Sequence, residues 1–189
     1  ISAAFDTVSN AIIIEPLRSV FGVTDTVLNW LSSYLSDRQQ YVQLGHHRSP
    51  TVSCFFGVPQ GSVLGALLFI AYVSPVGDVI TRHGLDYHQY ADDTHLLLAV
   101  RTASIQSDLS DLSVADSCST AVKLWFAQND LLLNVDKSEF MFIGSSAQLK
   151  HIAIDSVTVA GAQLSISTKV ARSSRLVSSS TAVCLSTCK

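Results

Sequence analysis

His88-Gln89-Tyr90-Ala91-Asp92-Asp93-Thr94-His95-Leu96-Leu97-Leu98-Ala99-Val100 is the stretch that decides the architecture. Its flanks favour extended backbone and its polar centre interrupts them, so it reads as a β-hairpin with Ala91-Asp92-Asp93 at the tip. Asp is a favoured turn residue, and a bare Asp-Asp pair at a bend signifies little. Two adjacent carboxylates nonetheless repel each other, and a divalent cation is the usual remedy. Oxygen ligands of this kind suit Mg²⁺, which also takes substrate phosphates. In two-metal phosphoryl transfer the ions serve the attacking hydroxyl and the leaving group, and a neighbouring strand normally adds a further carboxylate.

Upstream, Gly57-Val58-Pro59-Gln60-Gly61 reads as a turn that opens an apolar helix from about Ser62 to Ile80. Gln40 to Leu44 and Thr51 to Phe56 read as two strands around the polar turn His46 to Pro50. Val27, Leu28, Trp30, Leu31 and Leu35 mark one face of a helix over Asp25 to Leu35. Asn10 is a candidate helix cap, and Pro16 is expected to break or kink the helix that follows. Ile1 to Val8 could finish a strand. Downstream, Ile105, Leu109, Leu112, Ala115, Val122 and Trp125 recur at helical spacing, and Asn129-Asp130 ends that run. Short strands are expected at Glu139 to Ile143, Ile152 to Ile154 and Val157 to Val159. The order is mixed helix and strand with hairpins and no regular βαβ repeat, so the fold class is α+β.

Hydrophobic residues make up 48% of the 189 and charged residues 14%, enough to bury a sizeable core and too apolar for a disordered chain. The net charge of −3 offers no general attraction to phosphates, so any nucleic-acid role rests on a local site. Cys54, Cys118, Cys184 and Cys188 have no metal-ligand spacing beyond the terminal pair, and reduced thiols in an intracellular setting (cytoplasm or nucleus) are expected. The apolar run Val63 to Val73 is too short to span a bilayer, and no membrane partner is expected. The six histidines show no ligand spacing. From Ser165 to Lys189 the chain turns Ser- and Thr-rich without periodicity, and no structure is expected there.

Five segments in order carry a resemblance. Tyr90-Ala91-Asp92-Asp93 resembles the Tyr-x-Asp-Asp box of reverse transcriptases. Gly57-Val58-Pro59-Gln60-Gly61-Ser62-Val63-Leu64-Gly65 resembles the family's second box, and Ala3-Ala4-Phe5-Asp6-Thr7-Val8 the end of its first. Trp30-Leu31-Ser32-Ser33-Tyr34-Leu35-Ser36-Asp37-Arg38 is similar to the linking segment of enzymes of LINE-type (non-LTR) retrotransposons. Leu133-Asn134-Val135-Asp136-Lys137-Ser138-Glu139 resembles the box that carries a lysine near the incoming nucleotide. Each box is weak alone; five in order over roughly Ile1 to Gly144 are specific.

The resemblance implies a polymerase palm, an antiparallel sheet backed by helices, with partial fingers and no thumb. Residues 1–164 would be that domain and 165–189 a tail, disordered or frameshifted near Lys169. Asp92 and Asp93 would bind Mg²⁺ or Mn²⁺, two ions in the complete enzyme. Phe5 would stack under the sugar and exclude a 2′-hydroxyl; Gln60, Gly61 and Tyr90 would contact template or nucleotide. Gly57 and Gly61 bracket Pro59 in a turn where bare backbone can approach a strand of nucleic acid. Lys137 would lie near the phosphates, as a candidate proton donor. The partners would be an RNA template, a DNA primer and deoxynucleoside triphosphates. Local chemistry alone supports core packing for Phe5 equally well, and favours the blander roles of a Gly-Pro turn at 57–61 and a solvated surface for Lys137.

The sequence also departs from the family pattern. The metal-binding aspartate of the first box stands five residues before its aromatic, and counting back from Phe5 lands one residue before Ile1. A chain without it is expected to be inactive alone. Ala66 stands where Pro is usual, and Ser9-Asn10 replaces Asp-His. Two alternatives therefore stand beside the catalytic fragment: a nucleic-acid-binding or interaction module that kept the fold and lost the chemistry, and a decayed transposon remnant.

Overall fold

A computed structural model describes residues 5–59, 61–91, 93–100, 110–134, 137–150, 152, 154–170 and 181–186. The chain divides into two compact units, one of Ala3–Pro75 with Asn129–Leu131, the other of Val76–Gln128 with Leu132–Lys189.

The first unit holds α1 (Asn10–Ser19), α2 (Asp25–Leu35), β1 (Arg38–Gln40), β2 (Gln43–Leu44), β3 (His47–Arg48), β4 (Val52–Cys54) and α3 (Val63–Val73). Pro16 lies inside a continuous α1, so the break that was one of its two expected effects does not occur. It forfeits a backbone bond, but Ile13, Pro16 and Leu17 are all buried in a helix that packs on α3 and α2, and that burial offsets the loss. Asn10 is the first helical residue rather than the cap; its Nδ2 donates to the Leu35 carbonyl at 3.1 Å, tying α1 to the end of α2. The two strands expected around residues 46–50 form a nested pair of ladders, β1 with β4 and β2 with β3, both antiparallel. Tyr72, fully buried on α3, donates its hydroxyl to the Asn129 carbonyl at 2.6 Å and so holds the returning 129–131 loop.

The apolar helix expected over Ser62 to Ile80 is interrupted at Ser74-Pro75, where Pro75 lacks the N–H that continuity requires. Counted through the break, Val63–Arg82 is 20 residues and apolar enough to cross a membrane, which revises the shorter span read from sequence; half of it is buried inside the protein. Burial of Leu68, Phe69, Ala71 and Val73 is what a core helix requires of that composition.

The second unit holds α4 (Val76–Arg82), β5 (Asp86–Tyr90), β6 (Asp93–Val100), α5 (Ser110–Gln128), β7 (Glu139–Gly144), α6 (Ser146–Leu149), β8 (Ser156–Val159), β9 (Ala162–Val170) and β10 (Thr181–Ser186). Its six strands form a sheet in the order β5-β6-β10-β7-β9-β8. Every pairing is antiparallel except β7 with β9, so the expected antiparallel sheet is a mixed one. β9 pairs β8 through Ala162 to Ser165 and β7 through Ile166 to Val170, which a nine-residue strand is long enough to do. Phe140 and Phe142 of β7, Thr94 and Leu96 of β6, and Val122 and Phe126 of α5 are all buried.

Two expectations fail in this unit. Ile152 and Ile154 belong to no strand; α6, closed by a reciprocal Ser145–Gln148 capping box, precedes them. The segment from Ser165 onward is not structureless: β9 runs to Val170, and Thr181–Ser186 is a central strand. Composition misled here, because ladder bonds on both sides of a strand do not depend on side-chain periodicity.

Candidate active site

In the second unit, β5 and β6 form the hairpin read from sequence, with Tyr90 directly opposite Asp93. The two-residue connection places Ala91 at φ +51°, the left-handed region that a two-residue hairpin turn demands and that a Cβ resists. Asp92 lies outside the described residues. Along β6, Thr94, Leu96 and Val100 are buried while Asp93, His95 and Leu97 are half-exposed, so strand alternation turns Asp93 and His95 away from the core. His88 stands opposite His95, with ring centroids 6.0 Å apart, on the face that carries Asp93 and exposed Tyr90. The two histidines were missed in the sequence because their link runs across the hairpin; their alternation with Tyr90 and Asp93 was the available signal.

Lys137 reaches the same end of the sheet by register. Ser186 of β10 is level with both His95 and Glu139, so β6 and β7 run parallel to each other with β10 between them. Lys137, exposed and two residues before Glu139, therefore lies at the Asp93 end, two strands away, on the order of 10 Å. Asn134 holds the approach, its carbonyl accepting from the Lys137 N–H at 3.2 Å.

In the first unit, the first and second boxes are strapped together. The Gly57 N–H donates to the Val8 carbonyl at 2.7 Å and the Val58 N–H to the Phe5 carbonyl at 2.8 Å, while Arg38 donates to the Gly57 carbonyl. Gly57 sits at φ +82°, and a Cβ there would meet the Asp6 carbonyl oxygen at 3.1 Å, so only glycine closes this strap without strain. Ser62 caps α3: its hydroxyl donates to the Pro59 carbonyl at 2.7 Å and accepts from the Gly65 N–H at 2.9 Å. Phe5 stacks on Phe69 at 4.8 Å and also lines a cavity of about 470 Å³ with Pro59, Gly61, Ser62, Val63 and Gly65. Core packing and cavity lining thus coincide in one ring. Gln60, predicted beside Gly61, lies outside the described residues.

The site residues read from sequence are thus found in two sets, Phe5 with Gly61 in the first unit and Tyr90, Asp93 and Lys137 in the second. Among the described residues, no three His, Cys, Asp or Glu side chains come together to hold a metal ion. A family model described as Reverse transcriptase (RNA-dependent DNA polymerase) matches residues 1–171.

The chain belongs to the reverse transcriptase family. The matched stretch ends one residue beyond Val170, where β9 finishes. No curated protein and no solved structure matches the chain. Reverse transcriptases are RNA-directed DNA polymerases that bind template, primer and deoxynucleoside triphosphates and use divalent metal ions.

Proposed function

We propose that this reverse transcriptase chain is the palm and part of the fingers of a LINE-type (non-LTR) enzyme, extending a DNA primer on an RNA template. The observation that carries the reading is the hairpin tip. A residue with a Cβ is held left-handed at Ala91, opposite faces are sorted so that Asp93 and Tyr90 point from the core, and Lys137 lies at that end. Backbone strain at a tight turn persists where the surroundings over-determine it, as happens at functional sites.

In this reading Phe5 and Gly61 form the wall against which the nucleotide sugar and template rest, and the aromatic ring excludes a 2′-hydroxyl by bulk. Lys137 stands near the phosphates and can hand a proton to the departing group. Asp92 and Asp93 offer carboxylate oxygens to Mg²⁺ or Mn²⁺, which when bound supplies charge neutralisation for the transferring phosphoryl group. The described residues do not complete that donor set, which is what a binding module without chemistry would also present.

Primer extension separates the two. With oligo(dT) on poly(rA) and Mn²⁺, a chain that carries the first-box aspartate before Phe5 is expected to extend the primer, and Asp93→Asn in it to lose at least about 100-fold. Salt-sensitive RNA binding without extension would establish the binding module instead.

A further inference from the structure

His88 of β5 and His95 of β6 are directly opposed on the hairpin. Residues so placed on an antiparallel pair project from the same face, with Cβ atoms roughly 5 Å apart. Here that face is the open one. The neighbouring pair, Gln89 and Thr94, turns inward with Thr94 buried, while His88 is exposed and His95 half-exposed. Gln89 Nε2 donates to the Thr94 hydroxyl at 3.4 Å, a contact that steadies the register on which the histidine pairing depends. The two rings lie with centroids 6.0 Å apart and planes 38° from parallel. Among the described residues no hydrogen bond or ion pair holds either ring. The other histidines are placed differently. His83 Nδ1 is engaged with the Val79 carbonyl at 2.8 Å, His46 and His47 are neighbours in the chain rather than across a ladder, and His151 lies outside the described residues.

We propose that His88 and His95 form a cross-strand clip for a late transition-metal dication of the Zn²⁺ and Ni²⁺ kind. Neutral imidazole nitrogen suits such ions, whereas carboxylate and water oxygens suit Mg²⁺. The clip is therefore chemically distinct from the Asp92–Asp93 pair and does not depend on the polymerase reading. With each nitrogen about 2.0–2.1 Å from a tetrahedral ion, the ring centroids stand about 5 Å apart. The rings must close by about 1 Å, which side-chain rotation supplies without moving either strand. Among the described residues no third His, Cys, Asp or Glu joins them, so water completes the coordination. Asp93 stands about 7 Å along β6, near enough to favour a cation and too far to ligate it. The ion joins β5, the edge strand of the sheet, to its neighbour and braces the hairpin against fraying.

Carbon–proton correlation spectra of the imidazoles in the full chain, titrated with Zn²⁺ alone, test the clip. Two of the six histidine signals are expected to shift together and saturate at one ion per chain, with His88→Gln and His95→Gln assigning them. Each substitution should weaken binding at least about 10-fold, since a direct ligand counts for no less than the outer partners that orient one. His83→Gln should leave binding unchanged. Signals that move independently, or no movement at millimolar Zn²⁺, would overturn the proposal.

Three comparisons guard that result. Mg²⁺ at the same concentration should leave both signals in place; equal shifts with Mg²⁺ would assign the effect to the carboxylates at the tip and sink the clip. Asp93→Asn should weaken Zn²⁺ binding less than either histidine substitution, because an exposed charge at that distance is screened. An equal loss would put the ion on the carboxylate instead. On the unsubstituted chain, Zn²⁺ should slow amide exchange along β5, and exchange that ignores Zn²⁺ would leave no clip.

Discussion

Ala91 shows how much a single residue records. Its φ of +51° belongs to a region that costs an L-residue about 1–2 kcal/mol, and the two-residue turn leaves it no alternative. Ala91→Gly is expected to change stability by less than about 1 kcal/mol, strain relief being offset by unfolded-chain entropy. Ala91→Val is expected to cost about 2 kcal/mol, because a branched Cβ aggravates the clash. Urea denaturation of the two variants measures both, and equal midpoints would contradict the turn geometry. Cys118, buried in α5, makes a second residue-scale case, its thiol pushed up by burial to about 11 from an ordinary 9.0. The unfolded chain releases that proton first, so the contribution is fully present below pH 9 and is lost as pH rises towards 11. Burial likewise raises Tyr72 above its ordinary 10.0, with Asp130 adding to the shift, and the loss continues there. The thermal midpoint is expected to fall steadily over pH 9–11, and less steeply in Cys118→Ala. A thiol reagent at neutral pH should modify half-buried Cys54 well before Cys118.

At the scale of elements, the β8–β9 hairpin is tied to α5 by two side chains a double turn apart. Asp116 Oδ1 accepts from the Ala160 N–H at 3.0 Å, and Lys123 Nζ donates to the Ala160 carbonyl at 2.9 Å. The turn residues Ala160 and Gly161 sit at φ +49° and +81°, the paired left-handed conformation of a tight hairpin. Asp116→Ala should cost about 1 kcal/mol and loosen this hairpin, read as faster amide exchange at Val157 and Leu164. The start of α3 depends on Gly65 in a different way. A Cβ there would stand 2.5 Å from the Pro59 carbonyl oxygen, so Gly65→Ala must displace the second-box turn and narrow the cavity beside Phe5. These dependences explain what the sequence could and could not show. The hairpin at 86–100, α2 and the 57–61 turn were legible because local pattern and turn chemistry act within a few residues. Pro16 inside α1 and the break at Pro75 were not, because the same residue type ends one helix and is carried within another according to the burial around it.

For the whole molecule, the decisive question is whether Asp92 and Asp93 act together with a divalent ion. A pair that binds Mn²⁺ in the folded state alone stabilises it by mass action, so millimolar Mn²⁺ should raise the thermal midpoint. Asp92→Asn with Asp93→Asn should abolish the rise and increase the metal-free midpoint slightly by removing repulsion. A midpoint insensitive to Mn²⁺ in the parent chain would leave the pair without a metal role.

The sequence by itself determined the family, through five boxes in order, and the local elements that hold them, because turn preferences and strand alternation need only near neighbours. It also set the chemistry on offer: two adjacent carboxylates, a lysine and an aromatic. Only the tertiary structure decided that Phe5 shares a cavity wall with Gly61, that His88 faces His95, and that Lys137 lies at the Asp93 end of the sheet. It alone decided that Thr181–Ser186, unremarkable in composition, is a central strand between β6 and β7, level with His95 to Val100 of β6. Strand order rests on backbone bonds between segments far apart in the chain, and those bonds carry no residue-specific signature.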